Sequence, residues 1–384
     1  MSKRGNGEGS IRQRPNGRWE GRISYVDPAT DRRKSVSVYG ASAKECRDKL
    51  KAVRERLDDG RPAKDSRVTV GDWCRTWRTT ALEASDRKAT TKALYASLSK
   101  KHLEAGVIAA RPLDQMKATD VEALLVGLRK KEGKKKALSE STVRQIYTVL
   151  RAALDVAVRD DLLASNPVAK VRRPKVTRTE ARYLSADEVK LVLEAAQGSR
   201  YFPAVLLMAT TGLRRGEVAG LSWRDVDLEK SEILVRQTLS RVDGELVLSE
   251  PKTTRSRRRI PLLPSMATTL KKVQTRQKAE RLRAGDQWTD TGMVFTTELG
   301  TMVDPRNILR VVQSAAKSAG LEGVRAHSLR HSAAVAMLEA GVHIKAVADI
   351  LGHSSIAITG DIYGHSSDDA ARAAIDSLGA ALGT

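Results

Sequence analysis

The chain has 384 residues, 41% of them hydrophobic but only 4% aromatic, which is enough for two or three domains with cores of Leu, Val, Ile and Ala. A formal charge of +22 and an isoelectric point near 10.1 point to a polyanionic partner, nucleic acid first, although a merely basic solvated surface would give the same numbers. Two isolated cysteines, no secretory leader and no apolar run of about 18 residues argue against a disulfide framework, a zinc site, secretion and a membrane span, leaving a cytoplasmic, DNA-facing chain.

Residues 1–10 are Gly-rich and polar and read as a basic tail. Residues 11–14 form a first strand, Asn16-Gly17 a hairpin turn, and residues 18–26 and 34–39 two further strands by their alternation. Ser42 then caps a helix to about residue 58. The strands carry Arg12, Arg14, Arg18, Arg22, Arg32, Arg33 and Lys34, which suit either a groove-binding β-ribbon or a charged outer sheet face. Residues 60–67 read as a linker.

From residue 68 to about 169 the spacing is helical. Helices are expected over 68–80, with Trp73 and Trp77 four apart, over 90–103, from Thr119 or Asp120 to 128, and from Ser141 onward. In the last of these Val143, Ile146, Tyr147, Leu150, Leu154 and Val158 line one face, and Asn166-Pro167 ends the region. Between the third and fourth lies a basic loop, residues 129–136, containing Lys134 and Lys135. A second basic linker, 170–180, carries Arg172 and Arg173 and suits a chain crossing a DNA backbone.

Ser185 and Glu188 form a capping box that opens a new domain. An apolar helix over 201–210 ends at Thr211-Gly212, and strands are expected at 233–235, 245–249 and 258–263, the last two joined by P-K-T-T-R-S-R. Four segments here carry chemistry. T-G-L-R-R-G-E (211–217) presents Arg214 after a tight turn, with Glu217 placed to orient it. P-K-T-T-R-S-R-R-R (251–259) puts Lys252 where two strands meet, at a hairpin tip, and the cluster 255–259 suits general phosphate contact. H-S-L-R-H (327–331) sets His327 and Arg330 one helical turn apart, with His331 a packed or hydrogen-bonded helper. L-G-H (351–353) and Y-G-H (363–365) supply His353 and Tyr363. Zinc is disfavoured, because Ser328 rather than Glu follows His327. Guanidinium forks can hold a phosphodiester, imidazoles can move protons, and a phenol oxygen can attack phosphorus. Each residue alone reads more readily as a surface ion pair or core group.

In order and approximate spacing, T-G-L-R-x-G-E, H-x-L-R-H, L-G-H and Y-x-H resemble the tyrosine recombinase family, the phage-integrase type of site-specific recombinase, over residues 181–365. The upstream layout resembles the integrase subgroup. The fold so implied is multidomain: an arm-type DNA-binding domain of small β-sheet plus helix (1–60), an all-α core-binding domain (66–172), and a mainly α catalytic domain with a small antiparallel sheet and a tail helix (181–384). By this resemblance Arg214 and Arg330 are the catalytic arginines and Lys252 the strand-hairpin lysine, general acid for the leaving 5′-oxygen. His327 is a proton acceptor or phosphate ligand, His353 a donor to the phosphoryl oxygens, Tyr363 the nucleophile and Glu217 a supporting acid. Gly360 is an unusual neighbour for that tyrosine.

The resemblance further implies a 3′-phosphotyrosine intermediate without cofactor, ATP or metal, and a homotetramer on double-stranded attachment sites. Candidate further partners are a DNA-bending protein and an excision factor, and the location implied is the nucleoid of a bacterial cytoplasm. A tail helix over 368–382 would dock on a neighbouring protomer or pack on its own domain. Competing readings are a recombinase of the chromosome-dimer-resolving kind, a type IB topoisomerase-like enzyme, and a DNA-binding regulator that does not cut.

Overall fold

The computed structural model describes residues 9–27, 32–58, 68–130, 137–177, 182–250, 257–353, 355–356, 360 and 376. The chain divides into two compact units, Met1–Arg178 and Thr179–Thr384.

The first unit begins with three antiparallel strands in sequential order, β1 (Ser10–Gln13), β2 (Trp19–Asp27) and β3 (Arg32–Gly40). The turn is a three-residue loop rather than a two-residue Asn-Gly hairpin: Gly17 N–H donates to Arg14 O at 2.9 Å, Arg14 N–H to Arg18 O at 2.8 Å, and Gly17 takes the positive φ that the last residue of such a loop adopts. Alternation along β2 sends Ile23 inward against Leu50 and Val53 of α1 (Ala43–Asp58), while Glu20 and Arg22 point to the opposite face. The expected cap is present: the Ser42 hydroxyl accepts from the Glu45 N–H at 3.1 Å.

Four more helices follow in this unit: α2 (Val70–Thr79), α3 (Ala89–Leu98) continuing into a π-helical turn (Ser99–Glu104), α4 (Ala118–Arg129) and α5 (Glu140–Arg159). The long helix starts at Glu140, one residue before the Ser141 expected to open it, and Ser139 caps it, accepting from Thr142 N–H. Its apolar stripe is buried as its spacing requires, with Val143, Ile146, Leu150 and Leu154 fully enclosed against Trp73 and Trp77. Tyr147 spends its hydroxyl on the carbonyls of Val168 and Val171, 3.1 and 3.0 Å away, pinning the 3₁₀ turn that precedes Arg172 and Arg173. Arg56 of α1 donates to the almost fully buried Asp114 at 2.7 Å, so the sheet-plus-helix module is tied to the helical part.

The second unit opens with α6 (Ala186–Ala196), where the Ser185–Glu188 capping box is formed in both directions. The apolar α7 (Phe202–Thr211) and the short α8 (Arg215–Ala219) follow. Strands β4 (Val226–Asp227), β5 (Glu232–Val235) and β8 (Arg258–Pro261) make one antiparallel sheet, and β6 (Thr238–Val242) with β7 (Glu245–Ser249) make a separate hairpin.

This corrects one expectation. The strand at 245–249 pairs with β6 and the strand at 258–261 with β5, so among the described residues the two flanks of Lys252 are not partners of one hairpin. The hairpin that does form turns at Asp243-Gly244, both at positive φ, the conformation a two-residue turn demands. Helices α9 (Pro264–Ala284), α10 (Pro305–Ser318), α11 (Ala326–Glu339) and α12 (Ile344–Leu351) follow, and the core of the unit includes Leu207, Met208, Leu213, Leu239 and Phe295. The expected tail helix over 368–382 lies almost wholly outside the described residues.

Candidate active site

Two left-handed glycines build the frame. α7 ends at Gly212 (φ 67°, ψ 17°) and α12 at Gly352 (φ 67°, ψ 49°), conformations that glycine adopts at no steric cost. A Cβ on Gly212 would run into Leu351 and crowd Ala333, so the ends of α7 and α12 meet against α11.

The C-terminal end of α12 leaves main-chain carbonyls without helical partners and carries partial negative charge. Three successive carbonyls there each receive one guanidinium. Arg258 Nε, from β8, donates to Ile350 O at 2.6 Å; Arg330 Nη2, from α11, donates to Leu351 O at 2.7 Å; Arg214 Nη2, at the start of α8, reaches Gly352 O at 3.4 Å. Arg330 also donates through Nη1 to Gly212 O at 2.8 Å, which ties α11 to the end of α7.

Glu217 is the counter-ion at the centre. Its carboxylate reaches back to the Arg214 N–H at 2.9 Å, as the third residue of a helix can, and accepts from Arg214 Nη1 at 2.9 Å. It also takes Arg258 Nη2 at 2.9 Å and Nη1 at 3.3 Å. Burial alone would raise its pKa, but the hydrogen bonds and charge of Arg258, with the Arg214 N–H, hold it below the ordinary carboxylate value. Three cations against one anion leave the cluster positive. The side chain of Arg214 is 41% exposed, whereas Arg258 and Arg330 are buried, so Arg214 is the most open of the three guanidinium groups.

The imidazoles surround this charge. His327 lies in the first turn of α11 and reaches the surface; Arg330 and His331 follow on the same helix; His353 is the first residue past Gly352. Burial first, then the charges of Arg330 and Arg214, lower the pKa of His327. The same causes with Arg258 bring His353 down to about 4, and burial with Arg330 lowers His331. All three are therefore neutral at pH 7 and able to accept a proton or a hydrogen bond. Burial, then Arg214, brings Arg330 down to about 9, which still leaves it charged at neutral pH.

Six of the residues singled out in the sequence thus stand together: Arg214, Glu217, His327, Arg330, His331 and His353. Lys252 and Tyr363 lie outside the described residues, as do Lys134 and Lys135. Arg258 was missed as an individual. Among the described residues of 255–259, Arg257 and Arg259 are exposed beside Glu250 and Glu232, whereas Arg258 turns inward to Glu217. The signal was present, since alternation along β8 puts Arg258 on the same buried face as Ile260.

In the first unit the expected DNA-binding arginines are placed as follows. Arg12 and Arg14 both close on Glu20, at 2.8 and 3.0 Å, and Arg14 lies over the Tyr39 ring. Arg22 donates to Ser35 Oγ at 2.8 Å. Arg18 is exposed at the β1–β2 turn, and Arg172 and Arg173 are exposed beyond the 3₁₀ turn. His343 caps α12: its Nδ1 accepts from Lys345 N–H.

Residues 182–370 match the phage integrase family. A tyrosine recombinase XerC-like protein of Caldanaerobacter subterraneus subsp. tengcongensis is 30% identical, over 84% of this chain and 85% of its own length. An integrase of Streptomyces ambofaciens is 28% identical over 83% and 82%. Among solved structures, the Tn1549 transposon integrase in complex with transposon right end DNA is 25% identical with a TM-score of 0.63, over 81% of this chain and 99% of that one. A lambda integrase tetramer bound to a Holliday junction shares the fold at 20% identity, with a TM-score of 0.58 over 94% and 96%.

Proposed function

The chain belongs to the phage integrase family, the site-specific tyrosine recombinases that cut and rejoin DNA, and from that premise we propose which of its residues do the cutting. Tyr363 attacks the scissile phosphorus. Its proton passes to His327, the phenolic oxygen bonds to phosphorus, and the 5′-oxygen leaves with a proton from Lys252. Arg214 and Arg330 hold the charge that builds on the non-bridging oxygens, and His353 donates to one of them. The 5′-hydroxyl of a partner strand then reverses the step, so the bond energy stays in the phosphotyrosine. The observation that carries this reading is the convergence of Arg214, Arg258 and Arg330 on the end of α12, beside imidazoles held neutral.

Residues 1–60 then form an arm-type DNA-binding domain, 66–172 a core-binding domain, and 181–384 the catalytic domain. Double-stranded attachment sites are the substrate, and a homotetramer acts on two of them, with a DNA-bending protein and an excision factor as further partners. The likeness to an integrase tetramer on a Holliday junction supports the assembly. A mobile-element integrase is favoured over the chromosome-dimer-resolving kind by the sheet-plus-helix module of residues 10–58. The likeness to a XerC-like protein keeps the second reading testable.

Covalent trapping decides the matter. Wild type and Tyr363→Phe are incubated with a nicked duplex spanning the attachment junction of the element that encodes the chain, with chelator present. A denaturing gel is expected to show a protein–DNA adduct for wild type and none for the variant. An adduct of equal yield with Tyr363→Phe refutes the assignment of the nucleophile. Deleting residues 1–60 should spare adduct formation on a minimal core site.

A further inference from the structure

We propose that Arg258 is a positioning residue of the catalytic centre, the clamp that seats the end of α12, and with it His353, on Glu217 and so on Arg214. The proposal rests on the catalytic reading above and adds to it a residue that does not touch DNA. At 8% exposure, with Nε on Ile350 O, Nη1 and Nη2 on Glu217 and its plane against Gly352, Arg258 faces protein on every side named.

The chemistry required at this position is specific. One flat group must donate in two directions at once, toward a helix carbonyl and toward both oxygens of a carboxylate, which a guanidinium does and a lysine ammonium on a flexible stem does not. The fit is close. A Cβ added to Gly352 would fall 2.8 Å from Arg258 Nη1 and 3.0 Å from Cζ, so the backbone that leads into His353 lies directly on the guanidinium. His353 follows with its own N–H still bonded to Ala348 O at 2.9 Å, so the imidazole inherits its position from the last turn of α12. Arg258 also sits at the start of β8, two residues beyond the 251–256 segment that contains Lys252. Burying a charged pair rarely stabilises a fold more than an apolar side chain would, and Ile260 shows that an apolar side chain suits the same face of β8. Stability alone therefore does not call for an arginine. Seating His353 within a fraction of an ångström does, because a shift of about 1 Å at a catalytic group can cost about 100-fold in rate.

The test separates binding from cutting. Full-length wild type, Arg258→Lys, Arg258→Met, Glu217→Gln and the double variant Arg258→Met/Glu217→Gln are compared on the nicked attachment-junction duplex. Non-covalent affinity is read by gel shift, adduct formation by single-turnover trapping, and folding by thermal melting. We expect affinity within about threefold of wild type, adduct formation about 30- to 100-fold slower for Arg258→Met and about 10-fold slower for Arg258→Lys, and the double variant no slower than the slower single variant, since both disrupt one unit. A lysine variant that cuts at the wild-type rate overturns the proposal, because charge without the planar fork would then suffice. So does a folded methionine variant that cuts within threefold of wild type; if that variant does not fold, the lysine variant decides. Absence of any adduct with wild type bears instead on the catalytic reading.

Discussion

Replacing Glu217 with glutamine tests how far the arginine cluster depends on one buried carboxylate. In the wild type that carboxylate accepts from Arg214 N, Arg214 Nη1, Arg258 Nη1 and Arg258 Nη2 at 2.9–3.3 Å. Glutamine keeps the shape and one oxygen, but turns an amide NH₂ toward a guanidinium, donor against donor, and leaves three cations with no anion between them. Removing one partner of a buried ion pair costs about 3–5 kcal/mol, and the retained oxygen places this substitution near 3 kcal/mol. For a unit of about 200 residues that is a fall in Tm of about 6–12 °C. Sulfate at tens of millimolar should restore part of the loss, because the variant's cluster then binds an anion more tightly than the wild type's. The pH dependence has a fixed sign. The depressed pKa of Glu217 means its contribution is present above the unfolded carboxylate value and is lost as pH falls through the folded value, so the gap between wild type and variant begins to close only below the ordinary glutamate value of about 4.3. Differential scanning fluorimetry with and without sulfate, from pH 3.5 to 8, reads all three effects. A variant that melts within about 1 °C of wild type at pH 7, or a sulfate shift equal in both proteins, refutes the argument.

Two further predictions follow from the same reasoning. Tyr147→Phe leaves the buried carbonyls of Val168 and Val171 without their hydroxyl donor, at a cost of about 1–2 kcal/mol, and should lower the urea midpoint of the first unit, followed by Trp73 and Trp77 fluorescence, by about 0.5–1 M; an unchanged midpoint means that the hydroxyl does not hold the turn. His353, with its pKa down at about 4, stays neutral in the fold while the unfolded chain takes up a proton near pH 6.5, so stability of the second unit falls as pH drops from about 6.5 toward 4. Thermal melts of His353→Gln should show a shallower fall over that window, and a slope identical to wild type would mean that another group titrates there.

Much of this centre was legible because its residues sit at helix ends that announce themselves in sequence. Gly212 and Gly352 terminate α7 and α12, Arg214 and Glu217 share one turn, and His327 and Arg330 are three apart on α11. What sequence could not rank was three adjacent arginines. Arg257, Arg258 and Arg259 look interchangeable until strand alternation sorts them, and only pairing with β5 reveals that the middle one faces inward. The hairpin around Lys252 was misassigned for a related reason. β6, T-L-S-R-V, carries too few apolar residues to stand out, so β7 was given the wrong neighbour, although Asp243-Gly244 is an ordinary two-residue turn. On the sheet of the first unit, one-dimensional reading names Arg12 and Arg14 but not their partner. The register places Arg12 opposite Glu20, and that single acid engages both.

The three guanidinium groups at the end of α12 have a consequence for timing. Arginine side chains carry about 2 kcal/mol of rotamer entropy each, and a surface arginine surrenders it when it grips a phosphate. Here Arg330 and Arg258 are already held by main-chain carbonyls and Arg214 by Glu217. Their disorder is given up when the chain folds, before any DNA arrives. Under the proposed assignment a scissile phosphate gripped by Arg214 and Arg330, with Arg258 behind them, meets a preset template, and more of its binding energy remains for the strained geometry around phosphorus.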